Sequence, residues 1–290
     1  MLDVKINAFI AYCKVAAFSK KSIESLTIRL NEFRIFLKSK RIKNIKSVSY
    51  AHLSAFVADF KSPSVHVKKA RVWSLHQFFH FLTLQGHIKE NIAMELPYPK
   101  IEKTIPHFLT LEEYNSILAY CSKRATDLMG LRNLIVIMVL GILGLRTGTI
   151  VSMNIEDVDI VAGLAWVKVK GHFFRHTIVL PKAICMALQK YFDLIRKSKG
   201  PLFLSKRNKR ISPRTLQDIF RNIADACGID KHLHAHLFRH TAATHLNRVA
   251  GTTITQHVLG HSHRKNTHKY AHLNPDQYAV YMKKHPFMKL

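Results

Sequence analysis

The stretch that decides the reading is His236-Leu237-Phe238-Arg239-His240-Thr241, followed by Leu259-Gly260-His261 and then Thr267-His268-Lys269-Tyr270. Within about thirty-five residues it gathers an arginine, several imidazoles and a tyrosine. These residue types suit one chemistry. In-line attack on a phosphodiester piles negative charge on the non-bridging oxygens, and fixed cations or N–H donors aimed there lower the barrier by roughly 3 kcal/mol each. Guanidinium forks match phosphate oxygens and stay charged. Histidines can bond the same phosphate or take a proton, and a phenol of pKa near ~10 can be the nucleophile once positive surroundings activate it.

Working outward, Gly144-Leu145-Arg146 closes an apolar run, Leu134 to Leu145, whose 12 residues are too few for a membrane span of roughly 18. It reads as a buried helix ending at a second arginine. Farther on, Leu164 to Val169 alternates as a strand should, Gly171 to Phe174 turns the chain, and Thr177 to Leu180 returns before Pro181. Lys170 sits at that turn, with Lys168 two residues away on the same strand face. Ser212-Pro213 caps a helix through Leu216, Ile219, Phe220, Ile223 and Cys227, which Gly228 stops.

The first hundred residues show helical spacing only. Ser22 can cap a segment bearing Ile23, Leu26, Leu30, Phe33 and Phe36; Leu53, Phe56, Val57 and Phe60 mark a shorter helix; Val67 to Leu84 carries Val72, Leu75, Phe78, Phe79 and Leu82 on one stripe. Between Pro97 and Pro106 periodicity lapses, and a new unit opens where Thr110 and Glu113 form a capping box. The expected divisions are a helical domain over 1–96, a linker over 97–108, a mixed but mainly helical domain over 109–273, and a tail over 274–290.

The charge balance points the same way. Against 45 Lys+Arg stand 18 Asp+Glu, a formal +27, of which +11 falls in the first 104 residues and +16 in the rest. A polyanion is the natural partner, because solubility needs far less. Cys13, Cys121, Cys185 and Cys227 are far apart, so neither a disulfide framework nor a thiolate zinc site is expected, and a reducing cytosol fits. Asp3 and Lys5 lie inside an amphipathic N-terminal pattern that lacks the apolar core of a secretory leader.

Taken together, the H-x-x-R, L-G-H and tyrosine elements, with Gly144-Leu145-Arg146 and Lys170-Gly171 upstream, closely resemble the tyrosine recombinase family. Asn91-Ile92-Ala93, Pro99-Lys100 and Leu109 to Glu113 look like its interdomain stretch, so the likeness covers essentially the whole chain. One departure stands out: Thr147, Gly148 and Thr149 follow Arg146, where the family usually carries a small residue and a glutamate. The resemblance implies two domains, mainly α: an N-terminal helical core-binding (SAM-like) domain and a C-terminal mixed α+β catalytic domain. It implies catalytic roles for Arg146, Lys170, His236, Arg239, His261 and Tyr270. The tyrosine would form a 3′-phosphotyrosyl bond, the lysine would protonate the departing 5′ oxygen, and resealing would need no cofactor, metal or ATP. Double-stranded DNA sites and a homotetramer on paired sites are the implied partners, with no membrane and a cytoplasmic, nucleoid-associated location. It also implies a tail helix, Asn274 to about Lys284, exchanged between protomers.

Other readings of the same residues are a nicking-closing topoisomerase, against which the compact helical N-terminal part argues, and a catalytically silent regulator, against which intact Tyr270 and both arginines argue. His232, His234, His236 and His240 cluster as metal ligands could, yet Leu237 stands where a zincin needs glutamate and no carboxylate supports them. The run Lys206-Arg207-Asn208-Lys209-Arg210 serves equally as a solvated loop or a phosphate contact.

Overall fold

The computed structural model describes residues 2–101, 107–168, 175–260, 280 and 282–288. Contacts divide the chain into two compact units, 1–104 and 105–290.

The first unit is built from helices, as its periodicity requires: α1 (Leu2–Val15), α2 (Lys20–Ser39), α3 (Tyr50–Ala58) and α4 (Val65–Leu84). The cap of α2 is Ser19, one turn earlier than expected; its hydroxyl accepts from Ser22 N at 3.1 Å. The core is rich in phenylalanine. Phe33 meets Phe56 at 5.1 Å and Phe9 meets Phe78 at 5.5 Å between ring centres, and each such side chain contributes roughly 1.5–3 kcal/mol by leaving water. Arg71, almost fully buried, lies 4.5 Å from the Phe56 ring, donates to the carbonyls of Phe56 and Phe60 and pairs with Glu32. A buried cation without these partners would be costly.

The second unit contains α5 (Leu111–Lys123), α6 (Leu128–Leu143), α7 (Thr147–Ser152), strands β1 (Val158–Asp159), β2 (Leu164–Lys168) and β3 (Arg175–Val179), then α8 (Lys182–Ile195), α9 (Pro213–Cys227) and α10 (Ala235–Leu259). The expected capping box is present, Thr110 Oγ1 accepting from Glu113 N at 3.2 Å and Glu113 Oε2 from Thr110 N at 2.7 Å. So are the Ser212 cap, the N1 proline and the left-handed Gly228 stop of α9. Helix α6 is apolar nearly all round because it is central, packing against α5, α8 and α10.

Three features go beyond the sequence reading. The hairpin is the larger part of a three-stranded antiparallel sheet of order β1-β2-β3, in which Lys168 pairs with Arg175. The buried helix stops at Leu143 on left-handed Gly144, and Arg146 caps a new short helix rather than ending the old one. Finally, α10 is two helical pieces broken at Gly251, where φ is 75° and ψ 173°. Among the described residues no helix is long and apolar enough to cross a membrane.

The described end of the tail is packed within the second unit. Met282 and Phe287 are buried in its core, and Phe287 stacks on Tyr114 with ring centres 3.7 Å apart. His285, fully buried, accepts from Phe287 N on Nδ1, while its Nε2 finds no partner among the described residues. The tail helix is expected to be exchanged between protomers; its described residues 282–288 pack on their own unit, and residues 274–279, 281 and 289–290 lie outside the described residues.

Candidate active site

The site is assembled on helix ends. His234 caps α10, its Nδ1 accepting from Leu237 N at 3.1 Å, so that His236, Arg239 and His240 follow at helical spacing on one face. Leu237 and Phe238, on the other face, are buried in the core and fix the rotation of the helix. His236 and His240 are exposed and Arg239 is buried.

Arg239 is the centre of the arrangement. Its Nη1 donates to Gly144 O at 2.6 Å and its Nη2 to Leu259 O at 2.7 Å. These carbonyls belong to the two segments that the motif analysis singled out, the one before Arg146 and the one before His261. A single guanidinium thus ties the end of α6 to the end of α10. Gly144 has to be glycine here: its φ is +61°, and a Cβ would sit 2.3 Å from Leu259 Cδ2. Gly260, also left-handed, ends α10 immediately before His261.

Burial, and then repulsion from Arg146, push the Arg239 guanidinium down to about 10. The two arginines therefore feel one another, and no carboxylate pairs with Arg239 among the described residues. Positive charge held without an acidic partner among the described residues suits an anion. Two of the nearby imidazoles are lowered from their ordinary value. Partial burial of the ring lowers His234, helped by its histidine neighbours at 232, 236 and 240; His240, although its side chain as a whole is exposed, is lowered by partial loss of water around its ring and then by His236 and Arg239. His232 and His234 lie 5.5 Å apart and His234 and His236 6.4 Å between ring centres, but no group of three or more His, Cys, Asp or Glu among the described residues is placed to hold a metal ion.

Arg146, His236 and Arg239 are thus the expected site residues whose placement is described, and Arg146 and Arg239 are brought together. Lys170, His261 and Tyr270 lie outside the described residues; Lys168, the alternative lysine, is exposed at the end of β2. Lys206, Arg207 and Arg210 of the basic run line a separate cleft of about 960 Å³, which Lys123, Arg124 and buried Arg132 also border. What motif reading could not find are the long-range tethers. Leu109 N donates to Thr241 Oγ1 at 2.9 Å, His245 Nε2 lies 3.0 Å from Leu109 O, and Lys231 bonds both Phe108 O and Glu113. Leu109, Glu113 and Thr241 lie in stretches that the sequence singled out, but nothing in the sequence paired them with one another or pointed to Lys231 and His245.

Comparison with known proteins agrees with this geometry. Residues 107–277 match the phage integrase family. The chain is 28% identical over 298 residues to the tyrosine recombinase XerC of Anoxybacillus flavithermus, covering 98% of each chain. It is 31% identical over 224 residues to the XerC of Salmonella typhi, covering 76% of this chain and 73% of that one. Its fold is similar to that of a lambda integrase dimer bound to a COC′ core site, with a TM-score of 0.71 at 17% identity over 90% of this chain and 94% of that one. A match spanning more than half of the chain, with Arg146, His236 and Arg239 inside it, leads to one conclusion: the chain belongs to the phage integrase family and is a tyrosine-type recombinase.

Proposed function

We propose that this chain cuts and rejoins double-stranded DNA at specific paired sites through a covalent bond to Tyr270. The observation that carries this reading is the placement of Arg239, which bonds Gly144 O two residues before Arg146 and Leu259 O two residues before His261, and which has no acidic partner among the described residues. In the proposed step the Tyr270 oxygen attacks phosphorus, the bond to the 5′ oxygen breaks, and a 3′-phosphotyrosine remains. Arg146 and Arg239 take up the charge that builds on the non-bridging oxygens. His236 and His261 bond the phosphate or receive the tyrosine proton, and Lys170 or Lys168 gives a proton to the leaving 5′ oxygen. The reverse attack by a 5′ hydroxyl from a partner strand reseals the backbone. Bond energy is conserved, so neither metal nor ATP is required.

The net charge of +27 supports a duplex partner for both units. Four copies on two sites, in the cytoplasm at the nucleoid, complete the proposal. Incubation with a nicked suicide oligonucleotide tests it: wild type should accumulate a covalent protein–DNA adduct, undiminished in excess chelator, while Tyr270→Phe binds equally well and forms none. Adduct from the phenylalanine variant, or its abolition by chelator in wild type, would refute the mechanism.

A further inference from the structure

The reaction above needs the lysine hairpin and the Arg146 helix in one frame, and the structure contains a brace between them. Asp157, 7% exposed, closes the short 3-10 turn Ile155–Asp157 that follows α7. One of its carboxylate oxygens accepts from Asn154 N at 2.9 Å, and the other pairs with Arg175, the first residue of β3. On the same turn, the Asn154 side-chain oxygen accepts from Arg210 Nη2 at 2.6 Å. Arg210 Nη1 in turn donates to Val151 O at 2.8 Å and Met153 O at 3.0 Å, carbonyls at the end of the helix that Arg146 caps. The chain of contacts runs from β3 through Asp157 and Asn154 to Arg210 and α7.

Arg175 stands directly opposite Lys168 in the sheet register. Two cations paired across a hairpin repel, which would splay its end. Asp157 supplies the missing anion and is itself held by the backbone of Asn154, so it fixes Arg175 rather than following it. The hairpin end that carries Lys168, two residues before Lys170 in the sequence, is thereby tied to the α7 frame. We propose that Asp157 and Arg175, with Asn154 and Arg210 behind them, are positioning residues for the general acid of strand cleavage. This rests on the cleavage reading given above and adds residues that touch no reacting atom.

The role separates from ordinary structural support by chemical rescue. Replacing the bridging 5′ oxygen by sulfur lets the leaving group depart as a thiolate, which needs no proton, so a misplaced acid no longer matters. A general acid contributes roughly 10²–10⁴ in rate, and a brace that misplaces it should cost a part of this, about tenfold or more. Asp157→Asn keeps an acceptor for Asn154 N and leaves the Arg175 charge free for DNA. It should form adduct about tenfold more slowly than wild type on ordinary DNA, and within about twofold of wild type on the thiolate substrate. Arg175→Ala, at a half-exposed side chain, should behave alike and carries the comparison if Asp157→Asn melts below the assay temperature. Equal slowing on both substrates would overturn the proposal by showing that the brace supports the fold or the arginines. Wild-type rates on both would overturn it by showing that Arg175 needs no anion. Failure of the wild-type chain to form adduct on either substrate would overturn the cleavage reading beneath it.

Discussion

Arg239→Ala should lower stability only modestly while nearly abolishing adduct formation, and both magnitudes follow from the geometry. The side chain makes two charge-assisted bonds to buried carbonyls, each contributing about 1.5–3 kcal/mol, or about 3–6 kcal/mol together. Against this stands the cost of holding a cation there. Bringing the guanidinium from its ordinary 12.5 down to about 10 corresponds to about 3 kcal/mol, at about 1.4 kcal/mol per tenfold change. The folded value lies below the unfolded one, so this cost stands in full at neutral pH and fades only as pH rises above about 10. The net loss on truncation is therefore about 0–3 kcal/mol, a fall in Tm of up to roughly 10 °C for a domain of this size. The catalytic loss should be larger, a hundredfold or more. Thermal unfolding of the DNA-free protein and adduct formation on a suicide substrate measure the two separately. Arg239→Lys sharpens the test, since an ammonium keeps the charge but cannot span both carbonyls. Full-rate cleavage by the lysine variant would refute the argument from the fork, and a fall in Tm of twenty degrees in the alanine variant would refute the offset by desolvation.

Two further outcomes are expected. Gly144→Ala forces a side chain into a left-handed position, about 1–2 kcal/mol, and against Leu259, about 1–3 kcal/mol. Because Leu259 O holds Arg239, adduct formation should fall further than DNA affinity, and equal falls would show that the clash is absorbed elsewhere. Phe287→Ala should destabilise the DNA-free chain by about 3 kcal/mol, because its ring is buried on Tyr114. A melting temperature unchanged from wild type would show that the tail does not sit on its own unit in solution.

Much of this molecule was legible because the deciding signals are local. The Thr110–Glu113 box and the Ser212–Pro213 start with its Gly228 stop each act over a few residues, and each formed as read. Ser19 and Ser22 show the limit: both can cap, their hydroxyls lie 2.9 Å apart, and only packing chose the earlier one. Strand β1, of two residues, is too short to display an alternation. Residue types and motif order pointed to Arg146, His236 and Arg239, but not to the acceptors of Arg239. Gly144 O and Leu259 O lie 95 and 20 residues away in sequence and are backbone atoms, which carry no residue signature. The same holds for Asp157 and Arg175, which are ordinary surface types until the turn after α7 brings them into an ion pair.

The two ends of the second unit meet on one imidazole: the His245 ring nitrogen is bonded to Leu109 O, near the unit's beginning, and the ring faces that of Phe287, near its close, with centres 5.0 Å apart. A fold stitched shut in this way has its most distant contacts at its seam, which makes its folding slow and late. Helix α10 carries both Arg239 and His245, so the clasp that closes the unit and the guanidinium that joins α6 to α10 share one rod, and strain at either reaches the other through its backbone.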